Sequence, residues 1–295
     1  MIALTTQRLR VELAEPNESP NVGFRFDRAA FLSDVVLDGG MHFCAAEPRN
    51  LVHPSSGGRG LCCEFDADLS GDVSEGERYP KLGVGLIVKD GAYCFHRAYA
   101  DVRAFPVRVA HGADWAEFHT DALPCAGYAV KGFKRVTVAD RTVTLEACLE
   151  NVGDKPLVIN EYCHNFLSID GMAISPDYRL ELPLLPELDG CVIKNDYPNR
   201  CNFIARKGGI DFARCEREVS LAALPLRGVS QELPFRWRLS HSGAKAWIDG
   251  EDSVTPARLT LWATDHIVSP EIIQRFAVAP GQSHAWTRKW TFNKQ

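Results

Sequence analysis

Apolar and polar residues alternate along most of this 295-residue chain, and the alternation has a period of two. The clearest case is a hairpin: Arg135 to Val138, a turn at Ala139-Asp140-Arg141, then Thr142 to Glu150. In its second arm Val143, Leu145, Ala147 and Leu149 take one face. Thr142, Thr144, Glu146 and Cys148 take the other, as side chains on a strand must. Shorter runs recur at Phe31 to Leu37, Leu82 to Val88, Trp115 to Thr120, Cys191 to Ile193, Arg236 to Ser240, Arg258 to Ala263, Ile272 to Val278 and Trp286 to Phe292. Gly, Pro, Asn and Asp punctuate them. No long segment carries the helical period. The pattern therefore predicts an almost all-strand protein, with short helical turns only near Ser70 to Tyr79 and Glu216 to Ala223. Glu47 to Gly60 and Asp66 to Pro80 read as long loops. Loops of that size in a compact domain tend to be functional or mobile, so both are expected at the mouth of a binding groove.

One strand differs from the rest. After the turn Gly153-Asp154-Lys155-Pro156, the residues Leu157, Ile159, Cys163, Leu167 and Ile169 fall on one face. Asn160, Tyr162, His164, Phe166 and Ser168 fall on the other. A strand histidine is usually a buried residue satisfied by its neighbours. Here amides and aromatics share its face, and that combination suits a sugar: rings stack on the apolar side of a pyranose, amides bond hydroxyls, and an imidazole moves a proton near neutral pH. Cys163 and His164 are adjacent, so they point to opposite faces and cannot form a thiol–imidazole dyad.

Composition narrows the class. Hydrophobic residues make up 45% and charged residues 24%, ordinary for a protein with a real core. A formal net charge of −5 argues against a nucleic-acid or anionic-membrane surface, and the basic run Lys131 to Arg135 reads as a solvated strand face. No segment is long and apolar enough to span a bilayer, and the N-terminus lacks the pattern of a signal peptide. A cytoplasmic location and ten reduced cysteines are the expectation. No C-x-x-C pair, paired-histidine metal spacing, G-x-S-x-G elbow, P-loop or dinucleotide fingerprint is present, so neither metal nor cofactor is expected. No linker composition divides the chain, and residues 1–295 read as one domain.

Several segments carry a family resemblance. Asn151-Val-Gly-Asp-Lys-Pro leads into a strand ending His164-Asn165-Phe166. Arg25-Phe26-Asp27 precedes Val35-Val36-Leu37-Asp38-Gly39, and Gly60-Leu-Cys-Cys-Glu-Phe65 follows. Lys81-Leu-Gly-Val-Gly85 comes next, and Ser269-Pro270-Glu271 precedes Pro280-Gly281. In this order they resemble the aldose 1-epimerase (galactose mutarotase) superfamily, more its uncharacterised bacterial branch than the galactose mutarotases themselves. The resemblance implies an all-β fold, a large twisted antiparallel β-sandwich forming a single carbohydrate-binding domain. It implies that His164 is the general acid and Glu271 the general base of an enzyme interconverting the anomers of an aldose. Opening a cyclic hemiacetal needs a proton off the anomeric hydroxyl and a proton onto the ring oxygen. One base and one acid, expected on opposite sides of the ring, suffice. A carboxylate beside a protonated imidazole would favour each other's charged forms and give a bell-shaped pH profile.

The supporting candidates have bland rivals. Arg25 suits sugar hydroxyls or a phosphate, or an ion pair with Asp27 or another acid. Lys81 begins a strand, where a solvated lysine is the default. Glu64, Tyr162, Asp177 and Trp262 are candidate groove residues, tryptophan's default being core packing. His96 is a weak candidate for the second histidine of classical galactose mutarotases, whose early histidine and arginine have no clear counterpart here. That departure puts galactose specificity in question. The expected partner is a small sugar or sugar phosphate, with no nucleic acid or membrane, for a monomer or homodimer. The rival functions are a non-catalytic carbohydrate-binding protein and a sugar-phosphate epimerase, the latter requiring Arg25, Lys81 and Arg97 to converge.

Overall fold

The structure is a computed structural model that describes residues 1–16, 25–47, 57–94, 97–185, 203–214, 220–224, 226 and 232–295. In chain order its strands are Ile2–Thr5 (β1), Leu9–Leu13 (β2), Leu32–Leu37 (β3), Met41–His42 (β4), Leu61–Asp66 (β5), Arg78–Lys81 (β6), Gly85–Val88 (β7) and Val102–Ala104 (β8). Then come Val107–His111 (β9), Trp115–Thr120 (β10), Val130–Ala139 (β11), Thr142–Asn151 (β12), Leu157–Asn165 (β13), Tyr178–Glu181 (β14) and Ile204–Arg206 (β15). The last are Gly209–Asp211 (β16), Ser220–Leu224 (β17), Phe235–His241 (β18), Ala246–Asp252 (β19), Arg258–Ala263 (β20), Val268–Val278 (β21) and Ser283–Lys294 (β22). No helix occurs among the described residues.

The strands form a nine-stranded sheet in the order β1-β2-β3-β5-β13-β21-β20-β17, with β4 on β3, a ten-stranded sheet β15-β16-β14-β18-β19-β22-β12-β11-β10-β9, and a small sheet β6-β7-β8. Their pairings are antiparallel, for instance β13 with β21, β13 with β5, and β12 with β22. Period-two patterning explains the layering. Leu4, Val11, Val35, Cys63, Cys163 and Leu261 of the first sheet share one buried cluster with Val136, Leu145, Leu239, Ile248 and Phe292 of the second. Each such side chain taken out of water contributes about 1.5–3 kcal/mol, which is what holds the two sheets face to face. A second cluster, with Phe65, Leu149, Leu157, Ile159 and Trp286, extends this core; a third, with Phe26, Phe31, Cys62, Phe166 and Trp262, forms separately.

Charge also crosses the interior. Arg288 on β22 donates to both carboxylate oxygens of Glu161 on β13 at 2.7 and 2.8 Å, and through Nε to Asp252 on β19 at 2.8 Å. Gln274 Nε2 adds a bond to Glu161 at 2.7 Å, and all four residues are buried.

Several expectations change here. The hairpin of β11 and β12 is present and longer than its sequence signal. Ser220 to Leu224 is a strand against β20 rather than part of a helical turn, because a short apolar run fits either state and the neighbouring strand decides. Ser70 to Tyr79 forms turns leading into β6 rather than helical turns. Lys134 is not solvated: it is buried and pairs with Asp27 at 2.8 Å. The strand expected at Cys191 to Ile193 lies outside the described residues. The cysteines among the described residues are free thiols, with Cys62, Cys63 and Cys163 buried. No helix among the described residues is long and apolar enough to cross a membrane.

Candidate active site

The β13–β21 ladder pairs Leu157 with Val278 and Glu161 with Gln274, and an isolated bridge pairs Leu167 with Val268. Each pair's numbers sum to 435, so the register is unbroken and His164 faces Glu271 across the ladder. Regular pairing lapses between them at Pro270, which has no N–H to offer. Asn165 Nδ2 instead donates to the Pro270 carbonyl at 2.6 Å, and Trp290 Nε1 fixes the Asn165 Oδ1 at 3.0 Å. Residues opposite one another on paired strands project to one face. His164, Glu271, Ser269, Cys62, Glu64, Tyr162 and Trp262 therefore share the face turned away from the main core, while Cys63 and Cys163 enter it.

His164 is held on every side. Its Nε2 lies 3.1 Å from Glu271 Oε1 and its Nδ1 lies 3.0 Å from Ser269 Oγ. Phe166 stacks on the imidazole with centroids 3.9 Å apart and planes 5° apart. Trp262 and Phe26 meet it edge-on at 5.1 and 6.0 Å. Burial dominates the electrostatics. It raises the Glu271 carboxyl to about 8, with Arg25 opposing and Glu64 reinforcing. Burial, then Arg25, holds the His164 imidazole well below its ordinary value. Burial thus favours the uncharged form of each group; in that form the Glu271 carboxyl can donate to Nε2 and the Nδ1–H to Ser269 Oγ. Mutual stabilisation of charges was the sequence expectation; loss of solvation outweighs it. The two groups also touch directly on adjoining strands rather than standing on opposite sides of a groove.

A second polar group adjoins the pair. Arg25 Nε donates to Glu64 Oε2 at 2.8 Å and its Nη2 to the Tyr162 hydroxyl at 2.9 Å; the Tyr162 hydroxyl donates to Glu64 Oε2 at 2.5 Å. Burial pushes the Tyr162 phenol well above its ordinary value, so it remains a donor. Lys81 is fully buried, donates to the Phe65 carbonyl at 2.5 Å and lies 3.8 Å from Glu64 Oε1. Burial lowers its pKa against the pull of Glu64. Glu64 Oε1 is buried and has no hydrogen-bond partner among the described residues.

The structure thus brings together His164, Glu271, Arg25, Glu64, Tyr162, Lys81 and Trp262. Arg25 pairs with Glu64 rather than Asp27, because Asp27 is taken by Lys134. Asp177 stands apart: it binds Ser175 and Ser242 at the end of the ten-stranded sheet. Arg97 also stands apart, on Asp90 and over Tyr99. His96 lies outside the described residues. Ser269 escaped the sequence reading, although the period-two rule applied to β21 puts it on the face of Glu271. Of the two long loops, the described end of Glu47 to Gly60 reaches the site. The other, Asp66 to Pro80, packs its Ala67, Leu69 and Val73 into the second cluster, held by Lys89 and Lys155.

Gly58 explains the first loop's contact. A Cβ built there would stand 2.1 Å from Phe166 Cζ. Gly58→Ala is therefore expected to displace the Phe166 ring from His164 and lower the melting temperature, with loss of any activity that needs the imidazole fixed. A thermal melt unchanged from wild type would show that the loop yields instead.

No sequence-family profile matches the chain, and no curated protein matches it by sequence. Solved structures do. A galactose mutarotase-like protein from Lactobacillus casei superposes with a TM-score of 0.60 at 12% identity, over 99% of this chain and 100% of that one. A galactose mutarotase related enzyme from Lactobacillus acidophilus gives 0.58 at 10%, over 99% and 97%. The GalM/aldose epimerase homologue from C. elegans gives 0.52 at 13%, over 99% and 98%. With its large antiparallel sheets and a match that covers nearly all of this chain and of those it resembles, the chain has the galactose mutarotase-like fold.

Proposed function

We propose that the protein interconverts the α and β anomers of an aldose by acid–base ring opening, with His164 and Glu271 moving the protons. The observation that carries this reading is the pair itself: one carboxyl and one imidazole, 3.1 Å apart, on an aromatic-lined face. The anomeric and ring oxygens of a pyranose are bonded to the same carbon. Two groups this close suit two oxygens that close.

Entry of the sugar replaces the direct contact with hydroxyls, whose hydrogen bonds favour charged forms. As that contact gives way, the proton passes from Glu271 to His164 Nε2. His164 delivers it to the ring oxygen as the C1–O5 bond breaks, and Glu271 takes the proton of the anomeric hydroxyl as the C1 carbonyl forms. Rotation about C1–C2 and reclosure, with both transfers reversed, gives the other anomer. Trp262 offers apolar surface to the ring, Phe166 backs the imidazole, and Glu64 Oε1, which has no hydrogen-bond partner among the described residues, accepts a sugar hydroxyl.

The working pair holds one proton, which fixes the pH dependence. The Glu271 carboxyl, raised to about 8, empties the pair as pH climbs through that value, so activity falls on the alkaline side near there. Below the depressed His164 value the pair holds two protons and activity falls again, on the acid side of the usual imidazole value of about 6.5. The profile of kcat/KM between these limits is the check; a rate still rising well above the Glu271 value would overturn the assignment.

A non-catalytic carbohydrate-binding role is the second reading. In it the buried His164–Glu271 pair serves packing and moves no proton. A phosphorylated substrate has less support: Arg25 and Lys81 both turn to Glu64, and Arg97 is elsewhere. The deciding experiment is anomer exchange by NMR on a panel of free and phosphorylated aldoses. Accelerated exchange of any sugar supports the enzyme. Shifts without acceleration leave a binding protein.

A further inference from the structure

We propose a second saccharide-binding site, centred on Trp247 and Asp177, on the outer face of the ten-stranded sheet. Cross-strand partners set one continuous row over five strands: Ile204, Asp211, Arg179, Ser240 and Trp247. Their chain neighbours Ile210, Leu180, Leu239 and Ile248 enter the main core, so the row faces outward. At its end, Asp177 and the turn from Ser242 to Lys245 close a cleft of about 610 Å³. That volume lies within the roughly 300–1,000 Å³ usual for small-ligand sites. Lys245 ends the β18–β19 hairpin loop with a left-handed backbone, φ 51°.

The chemistry is that of a neutral polyol site. Arg179 and Arg206 both pair with Asp211, the latter at 3.1 Å, so one of their two positive charges is offset. Asp177 is oriented by the Ser175 and Ser242 hydroxyls. Trp247, its indole nitrogen held on Asp249 at 3.1 Å and Arg238 over one side of its ring, supplies apolar surface for the C–H face of a sugar ring, and Ile204, 37% exposed, lies at the far end of the row. Arg179, Arg206 and Lys245 against Asp177 and Asp211 leave a single positive charge, too little to select a phosphate group. The main core separates this cleft from His164, so occupancy of one site is independent of the other.

The test is an NMR titration of the full chain with methyl glucosides, methyl galactosides, maltose and lactose, reading the indole N–H signals of Trp247 and Trp262 separately. Methyl glycosides cannot open their rings, so binding is measured whether or not the protein catalyses exchange. A saturable shift of the Trp247 signal is expected, retained in His164→Ala and weakened at least about tenfold in Asp177→Asn and in the exposed variant Arg206→Ala. A Trp247 signal that no saccharide moves overturns the site. So does a response untouched by both substitutions, or one that inorganic phosphate elicits at lower concentration than every saccharide.

Discussion

Glu271→Gln is expected to cut catalysed anomer exchange by about 10²–10⁴-fold, the usual worth of a positioned acid–base group. The substitution keeps the size and a hydrogen bond to His164 Nε2 but removes the transferable proton. It leaves the Phe166 and Trp262 contacts of the imidazole in place. The melting temperature should therefore stay near that of wild type, so a lost rate cannot be laid to unfolding. His164→Ala should lose as much rate, at some cost in stability, because it removes the ring on which Phe166 stacks. A Gln variant exchanging anomers at the wild-type rate would remove Glu271 from the chemistry and leave the binding-protein reading.

The largest stability effect is expected at Glu161. Glu161→Ala strands Arg288, whose guanidinium is 3% exposed, along with the amide of Gln274. Removing one partner of a buried ion pair costs about 3–5 kcal/mol, because the remaining charge stays out of water. Glu161→Gln, which retains an acceptor oxygen, should lose less. The urea midpoint measures both. An alanine variant as stable as wild type would mean that Asp252 alone satisfies Arg288.

The strand parity that marked His164 was legible because the period-two rule acts within one strand. Tyr162, His164 and Phe166 needed no knowledge of the rest of the molecule. What lay between strands was hidden. The direct His164–Glu271 contact, the Arg25–Glu64 pair and the burial of Lys81 and Lys134 all depend on which strands adjoin, and a lysine carries no local sign of its eventual partner. Asp177 shows the reverse error. Ser-Pro-Asp looks like a loop approaching the site, but β14 carries it into the other sheet. The run Ser-Leu-Ala-Ala-Leu at β17 is equally compatible with helix and strand, and β20 decides it.

The unbroken register of β13 and β21 has a kinetic consequence. A slip of one residue would bring Pro270 or Ile272 opposite His164 and turn the carboxyl to the far face. No partly aligned sheet holds a partly competent pair. During refolding, acid–base competence should arrive in a single step with the closure of these central strands, rather than growing gradually with the content of β-structure.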